Sequence, residues 1–282
     1  MILSTLDKSR KGGAYEQIPS LVLGQRWTPQ LNSRNMMKVV LCVWIEPYIE
    51  NDLSFCVWPV HTPTTSKEVL TLSASTSPLP YTGNKSCIVN TILSVMPKHT
   101  VYIDPCMGSA KVFFRKPRAE KEILNDYNGD LVNLFRVIQN NEKLAYLLGR
   151  LYLSINGELA FKQNKDRLKG VPNILDDVIE TSQIFYDASW EDIQNAAAFL
   201  ENQVYSFSST GQTFGIARRD MSQRLPRLMS AYNRIRDAII LHRDYKDVIT
   251  YAACPGSFIL LDPPYKGTED MYSKANFDIE QH

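Results

Sequence analysis

The sequence predicts an α/β protein in which a doubly wound sheet carries an inserted, mostly helical domain. Two observations favour this fold class. Short apolar runs typical of buried strands alternate with helical segments both before residue 138 and after residue 221. Between them, residues 141–202 keep a mostly helical pattern and contain no clear strand.

The elements follow one another in a regular order from residue 81 onward. Each strand is short and apolar, and each is followed by a polar or small-residue segment before the next helix. The predicted elements are helix 88–96, strand 101–103, helix 112–114, strand 122–124, helix 131–138, the helical stretch 141–202, a loop or hairpin at 206–219, helix 221–236, and strands 238–241 and 257–261.

The first 78 residues differ from the rest of the chain. Two apolar pieces at 36–45 and 53–60 can form a hairpin, but no periodicity persists, and residues 62–77 are rich in serine and threonine. We expect residues 1–78 to be an extension or linker of unknown role, partly disordered.

The composition excludes some classes of protein. No apolar run approaches the roughly 18 residues that a membrane span needs, so we expect no membrane partner. The five cysteines are odd in number and form no C-x-x-C pair, which predicts reduced thiols in a cytoplasmic protein without a metal site. The net charge of +1 argues neither for nor against a nucleic-acid partner.

The most informative motif is Asp262-Pro263-Pro264-Tyr265, which directly follows the apolar run at 258–261. The prolines cannot continue the strand, because they lack the amide donor and fix the backbone torsion. The carboxylate therefore faces a crevice at the sheet edge, with the tyrosine ring beside it. A rigid acceptor next to a flat aromatic face suits a planar base that carries an exocyclic amine.

Three other strand ends carry candidate ligand-binding residues, since open parallel sheets bind ligands there. The small-residue turn at 104–110 lets a ligand approach the backbone, although a plain strand-to-helix turn is equally consistent with it. Asp126 lies roughly 20 residues later, where an acid accepts hydrogen bonds from ribose hydroxyls or caps the next helix, or does both. Asp244 either contacts an adenine amine or, by default, caps a helix.

Taken in this order, the segments resemble the Dam-type, or alpha-group, adenine-specific DNA methyltransferases over residues 79–282. The resemblance implies a Rossmann-like sheet that binds S-adenosyl-L-methionine and transfers its methyl group to the N6 amine of adenine in double-stranded DNA. The segments that carry it are Tyr81-Thr82-Gly83-Asn84-Lys85, the turn at 104–110, Asn125-Asp126-Tyr127-Asn128, and Asp262-Pro263-Pro264-Tyr265.

The resemblance also implies roles for individual residues. Asp262 and the carbonyl of Pro263 accept hydrogen bonds from the target amine, and Tyr265 stacks on the base. The implied catalytic residues are therefore Asp262, Pro263, Pro264 and Tyr265. The implied cofactor residues, from the methionine end to the adenine, are Tyr81, Lys85, Asp104, Gly108, Ser109, Asp126, Asp244 and Tyr245.

The resemblance divides the chain into three parts: the extension 1–78, a catalytic domain at 79–134 and 231–282, and a helical target-recognition insert at 135–230. A polar, glycine-containing loop with arginines after it is able to enter a DNA groove, but for each single residue we prefer an exposed, solvated position. The DNA-contact candidates are Ser209, Thr210, Gln212, Arg218 and Arg219.

Other readings stay open. The chain ends soon after Tyr265, where the family has further strands, so we expect a C-terminally truncated form with an exposed sheet edge. One alternative is an inactive remnant with at most weak DNA binding. Another alternative is methyl transfer to RNA or to a protein side-chain amide, but Asp rather than Asn at position 262 favours adenine in DNA as the substrate. The sequence leaves a restriction endonuclease partner open.

Overall fold

The computed structural model describes residues 41–45, 55–59, 76–81, 85, 87–176, 188–217 and 219–263. Within these ranges, six strands form one sheet in the order β2-β1-β6-β3-β4-β5. The central strand β3 pairs in parallel with β4 and β6, and β4 pairs in parallel with β5. The strands are β1 (Leu41–Ile45), β2 (Phe55–Pro59), β3 (Val101–Asp104), β4 (Lys121–Asn125), β5 (Ile239–Leu241) and β6 (Ser257–Leu261).

Helices connect the parallel strands, which confirms the predicted α/β class. The predicted helical stretch at 141–202 contains α4, α5 and α6. None of the helices in the described ranges is long and apolar enough to cross a membrane. The helices are α1 (Val89–Val95), α2 (Lys111–Arg115), α3 (Gly129–Gln139), α4 (Asn141–Tyr152), α5 (Glu158–Lys169), α6 (Trp190–Tyr205), α7 (Leu225–Ile235) and α8 (Tyr245–Ala252).

The parallel strands are apolar because both faces of the sheet are covered. Successive side chains of a strand point to opposite faces, so Tyr102 and Ile103 of β3 enter two different clusters. The larger cluster also holds Leu124 and Phe258, while the smaller one packs against Val248 of α8. Burial on both faces gives continuous rather than alternating hydrophobic runs, which is why the strands are legible in the sequence.

The helices between β4 and β5 share the larger core cluster with the sheet. Phe135, Leu147, Leu200 and Leu228 come from α3, α4, α6 and α7, and all are fully buried in that cluster. The predicted start of the insert, residue 135, lies inside α3. The helical region is therefore packed on the sheet through a common core.

Part of the predicted extension belongs to the sheet. The two apolar pieces form the antiparallel pair β1–β2, and β1 also pairs antiparallel with β6, with Val43 opposite Ile259. The expected exposed edge does not lie at β6 itself, because β1 pairs with it and β2 is the outermost described strand on that side of the sheet. Further along, the Ser77 hydroxyl donates to the carbonyl of Ser109 at 2.6 Å.

A buried charge cluster, which the sequence analysis did not anticipate, lies at the amino end of the sheet. The Glu122 carboxylate contacts the Lys116 ammonium at 2.5 Å and the Arg234 guanidinium at 2.8 Å. Burial opposes ionisation of Glu122, but the hydrogen bonds from Arg234 and Lys116 outweigh it and lower the pKa of Glu122. Arg234 also lies over the ring of Phe113 at 3.7 Å. The cluster joins α2, β4 and α7.

Candidate active site

Asn125 holds together the loops that follow three parallel strands. Its side chain is fully buried at the end of β4. The amide nitrogen donates to the carbonyls of Pro105 at 2.8 Å and Arg243 at 2.9 Å, and the amide oxygen accepts from the Arg243 backbone N–H at 2.9 Å. This positioning role was not assigned from the sequence; the signal was a polar amide at the end of a buried apolar run.

The turn after β3 takes a conformation that requires small residues. Gly108 and Ala110 both have left-handed backbone torsions, with φ of 48° and 51°. The Met107 N–H donates to the Asn125 carbonyl at 2.8 Å. A Cβ atom at Gly108 would lie 3.7 Å from the Tyr81 ring, so a larger side chain there would fill the space beside this ring. The turn is thus a backbone surface that a ligand can approach closely.

Asp126 lies against this turn. Its carboxylate accepts from the backbone N–H groups of Gly108 and Asn128, each at 2.9 Å. Asn128, rather than Asp126, caps α3 by accepting from the Asp130 N–H, and its amide donates to the Tyr81 hydroxyl at 3.2 Å. Burial raises the pKa of Asp126 to about 6. The Asp126 carboxylate therefore lies against the turn after β3 and is not the cap of α3.

Asp104 is the buried acid at the end of β3. It accepts a hydrogen bond from the Tyr102 hydroxyl at 3.0 Å. Burial raises the pKa of Asp104 to about 7, and the Asp126 charge adds to this rise. The Tyr102 hydrogen bond and the Lys85 charge oppose it. A group that titrates near neutrality inside a cleft is typical of a functional site. Ser109, also buried, follows in the same turn.

Asp262 forms an ion pair with Lys85 at the carboxyl end of β6. Both side chains are largely buried, with 18% of Asp262 and 10% of Lys85 exposed. Because the Lys85 charge also acts on Asp104, the ammonium group links the ends of β3 and β6. Pro263 follows Asp262 with intermediate burial, whereas Pro264 and Tyr265 lie outside the described residues.

The end of β5 closes the site on the other side. Asp244 caps α8 by accepting from the Lys246 N–H at 2.9 Å, which confirms the capping alternative. Burial raises the pKa of Tyr245 above its ordinary value, and the charges of Asp244 and Cys106 raise it further. Cys106 belongs to the turn after β3, so Asp244 and Tyr245 lie beside that turn.

The predicted DNA-contact loop folds back on the end of α6. The Phe207 N–H donates to the Thr213 carbonyl at 2.8 Å, and the Gly215 N–H donates to the Tyr205 carbonyl at 2.7 Å. The isolated bridge between Ser206 and Phe214 makes the segment a short hairpin.

Among the described residues of this loop, the candidates make hydrogen bonds within the loop and with α5 and α6. Ser209 has a positive φ of 56°, and the Thr210 hydroxyl donates to a carbonyl of its own turn at 3.1 Å. The Gln212 carbonyl accepts from Lys165, and the Arg219 guanidinium donates to the Val204 carbonyl. Arg218 lies outside the described residues. The DNA-contact role of these residues stays a prediction.

Comparison with known proteins gives a family. The model of the family described as "D12 class N6 adenine-specific DNA methyltransferase" matches residues 81–282. Modification methylase StsI of Streptococcus sanguinis is 25% identical over 210 residues, which are 70% of this chain and 30% of that protein. Type II methyltransferase M1.LlaDCHI of Lactococcus lactis subsp. cremoris is 23% identical over 192 residues, 66% of this chain and 64% of the relative.

A third relative is type II methyltransferase M.CviBI of Paramecium bursaria Chlorella virus NC1A, which is 22% identical over 186 residues, 65% of this chain and 66% of that protein. The matched region includes the strand ends that carry Asp104, Asp126, Asp244 and Asp262, and it excludes β1 and β2. The chain belongs to the D12 class of N6 adenine-specific DNA methyltransferases.

Proposed function

We propose that this chain transfers a methyl group from S-adenosyl-L-methionine to the N6 amine of adenine in double-stranded DNA. The observation that carries the proposal is the position of Asp262. Its carboxylate ends β6, is largely buried, and reaches the same edge of the sheet as the backbone turn at 104–110. Ligands of open parallel sheets bind at this edge.

The described residues fit the cofactor. S-adenosyl-L-methionine carries an ammonium group, a sulfonium and ribose hydroxyls, all of which carboxylates attract or accept hydrogen bonds from. Asp104, Asp126 and Asp244 border the turn, and the open backbone at Gly108 leaves room beside Tyr81. We assign the ribose to Asp126, the methionine end to Tyr81 and Lys85, and the adenine end to Asp244 and Tyr245.

Asp262 and Pro263 prepare the amine of the target base. The lone pair of this amine is delocalised into the purine ring, which makes it a poor nucleophile. Hydrogen bonds from the amine to the Asp262 carboxylate and the Pro263 carbonyl favour a pyramidal nitrogen, whose lone pair then points out of the ring plane. The bound cofactor supplies an electrophilic methyl group, and positioning contributes much of the rate.

Lys85 is a partner of Asp262 before the base arrives. Its ammonium group donates a hydrogen bond to the carboxylate and so occupies one of its acceptor positions. An incoming amine must share or displace this donor. The ion pair therefore holds the acceptor in place in the absence of substrate.

The base must leave the duplex to reach Asp262, because its amine is not accessible within the stack. The described residues do not include Tyr265, and its stacking role comes from the family resemblance. Stacking on an aromatic ring contributes roughly 1–3 kcal/mol per base and offsets part of the cost of extrusion. No step in this mechanism requires a metal ion.

The helical region would recognise the DNA. The Tyr81 ring lies 6.3 Å from the Phe199 ring of α6, so this region packs directly on the cofactor side of the site. We assign target recognition to residues 135–230 and catalysis to 79–134 and 231–282. Since two relatives carry the name type II methyltransferase, we also propose a modification role beside a restriction endonuclease in the cytoplasm.

The test is transfer of labelled methyl groups from S-adenosyl-L-methionine into unmethylated double-stranded DNA, with Asp262→Ala as the control. We expect label in the DNA with the native chain and none with the variant. A folded chain that binds cofactor and DNA without transfer, with binding unchanged by Asp262→Ala, would support an inactive remnant instead.

A further inference from the structure

A basic cleft lies where α7 begins. It has a volume of about 390 Å³ and is open to solvent on one side. The residues come from the segment after the hairpin, from a single 3-10 turn, and from the first turn of α7. The lining residues are Arg219, Asp220, Gln223, Arg224 and Arg227.

The arginines of this cleft face one another. Burial lowers the pKa of Arg224, and the charges of Arg227 and Arg219 lower it further. The Arg227 charge also lowers the pKa of Lys111, for which burial is the larger cause. Like charges are thus brought together from α2, the 3-10 turn and α7.

The cleft arginines differ from the cations of α5. Lys162 pairs with Glu158 at 2.8 Å and Lys169 with Asp166 at 3.0 Å, as expected for a solvated helix face. In the part of the chain that the structure describes, neither Arg224 nor Arg227 has a carboxylate within ion-pair distance. Concentrated positive charge without such partners favours an anionic ligand over a solvated surface.

The position of the cleft connects it with the candidate active site. Lys111 is the first residue of α2 and directly follows Ala110, the last residue of the turn after β3. In parallel α/β sheets, the start of a helix lies at the same edge as the end of the strand before it. Arg227, whose charge acts on Lys111, therefore lies toward the edge at which Asp104 and Asp262 lie.

We propose that this cleft binds backbone phosphates of the DNA substrate, with Arg224 and Arg227 as the main contacts and Lys111 at its catalytic side. The inference rests on the proposed function and deepens it. Guanidinium groups match phosphate oxygens through two parallel hydrogen bonds. Such contacts fix the orientation of a duplex without reading its sequence, so the cleft would hold the DNA while other residues select the target.

The experiment measures binding of a fluorescent double-stranded oligonucleotide to the full chain between 50 and 200 mM salt, without cofactor. The double variant Arg224→Gln with Arg227→Gln is compared with Lys162→Gln with Lys169→Gln, which removes the same charge from paired, exposed positions. Each phosphate contact contributes about 0.9 to the slope of log affinity against log salt.

We expect the cleft variant to lower this slope by about 1–2 and to weaken binding at the lower salt concentration by on the order of tenfold. The loss should be equal for unrelated DNA sequences, and the α5 variant should change the slope less than the cleft variant does. The double variant Arg224→Lys with Arg227→Lys should restore most of the slope, which separates the loss of charge from an effect on folding.

Equal effects of the cleft and α5 variants would overturn the inference, and so would a native chain that does not bind DNA. The outcome is separable from the proposed function, because binding is measured without turnover. If the native chain transfers methyl groups and the cleft variant binds DNA as tightly as the native chain, only the proposal about the cleft is contradicted. If the cleft variant lowers the salt slope but the native chain transfers no methyl group, the result supports phosphate binding in the cleft and contradicts the proposed methyltransferase activity.

Discussion

The two ends of the same sheet hold buried charges in opposite arrangements. At the amino end, Glu122 is enclosed by two cations, Lys116 and Arg234. At the carboxyl end, Asp104 is a buried acid and Asp126 a partly buried one, and their pKa values rise to about 7 and 6. A matched cluster lowers the pKa of its acid, whereas burial raises the pKa values of the two acids at the carboxyl end.

This difference separates structural charge from functional charge. Glu122 has its partners within the fold, so its ionised form is stabilised before any ligand binds. At the other end, Asp104 and Asp126 accept hydrogen bonds from neutral groups, a tyrosine hydroxyl and two backbone N–H groups, and we expect a ligand with ammonium, hydroxyl or amine groups to stabilise their ionised forms. Substitutions at the amino end should therefore affect stability, and substitutions at the carboxyl end should affect binding and transfer.

The largest effect is expected at the amino end. Glu122→Gln leaves Lys116 and Arg234 buried without a counter-charge, which should lower the free energy of unfolding by about 3–5 kcal/mol. Denaturant titration measures this loss. Cofactor affinity, measured by calorimetry under conditions where the variant is folded, should stay at the native value. A selective loss of cofactor affinity with normal stability would break the comparison.

The buried charge cluster around Glu122 also shows what the sequence could not reveal. Asp262 was found because it directly follows an apolar run, so a local pattern carried the signal. Glu122 and Arg234 are 112 positions apart, and no local pattern encodes their pairing. The same holds for β1, whose pairing with β6 depends on a strand far along the chain. Strand ends were predictable from neighbours in sequence, while long-range partners were not.

At the carboxyl end, Asp262→Asn should lower the single-turnover rate of methyl transfer by about 10²–10³-fold, as expected when a charged acceptor in a preorganised site becomes a neutral one. The amide keeps the size of the side chain but lacks the charge. Rapid-quench assays at saturating cofactor and DNA give the rate, and circular dichroism checks the fold. A rate within a few-fold of the native value would remove Asp262 from the mechanism.

A smaller effect is expected for Asp126→Asn. Loss of the carboxylate removes the hydrogen bonds to charge that a ribose would make, each worth about 1.5–3 kcal/mol. Cofactor affinity should fall by roughly ten- to a hundredfold, since 1.4 kcal/mol corresponds to a factor of ten. Ser189→Ala, which alters a helix cap away from the site, is the matched control and should leave cofactor affinity unchanged.

A further effect is a dependence of stability on pH. Asp104 has a pKa of about 7 in the folded chain, above its ordinary value of 3.8, so the folded state binds the proton more tightly. Stability is thus favoured at low pH and falls as the pH rises from about 4 to about 7, by at most about 1.4 kcal/mol per pH unit. Unfolding at pH 5, 6 and 7 should show a shallower fall for Asp104→Asn than for the native chain. Parallel curves would contradict the assignment.

Nucleoside mass spectrometry after incubation with S-adenosyl-L-methionine and unmethylated double-stranded DNA tests the central claim most directly, because it identifies the atom that receives the methyl group. The account predicts N6-methyladenine with the native chain, none with Asp262→Ala, and a reduced but measurable amount with Asp126→Asn. A methyl group on a cytosine, or N6-methyladenine that persists in Asp262→Ala, would contradict it.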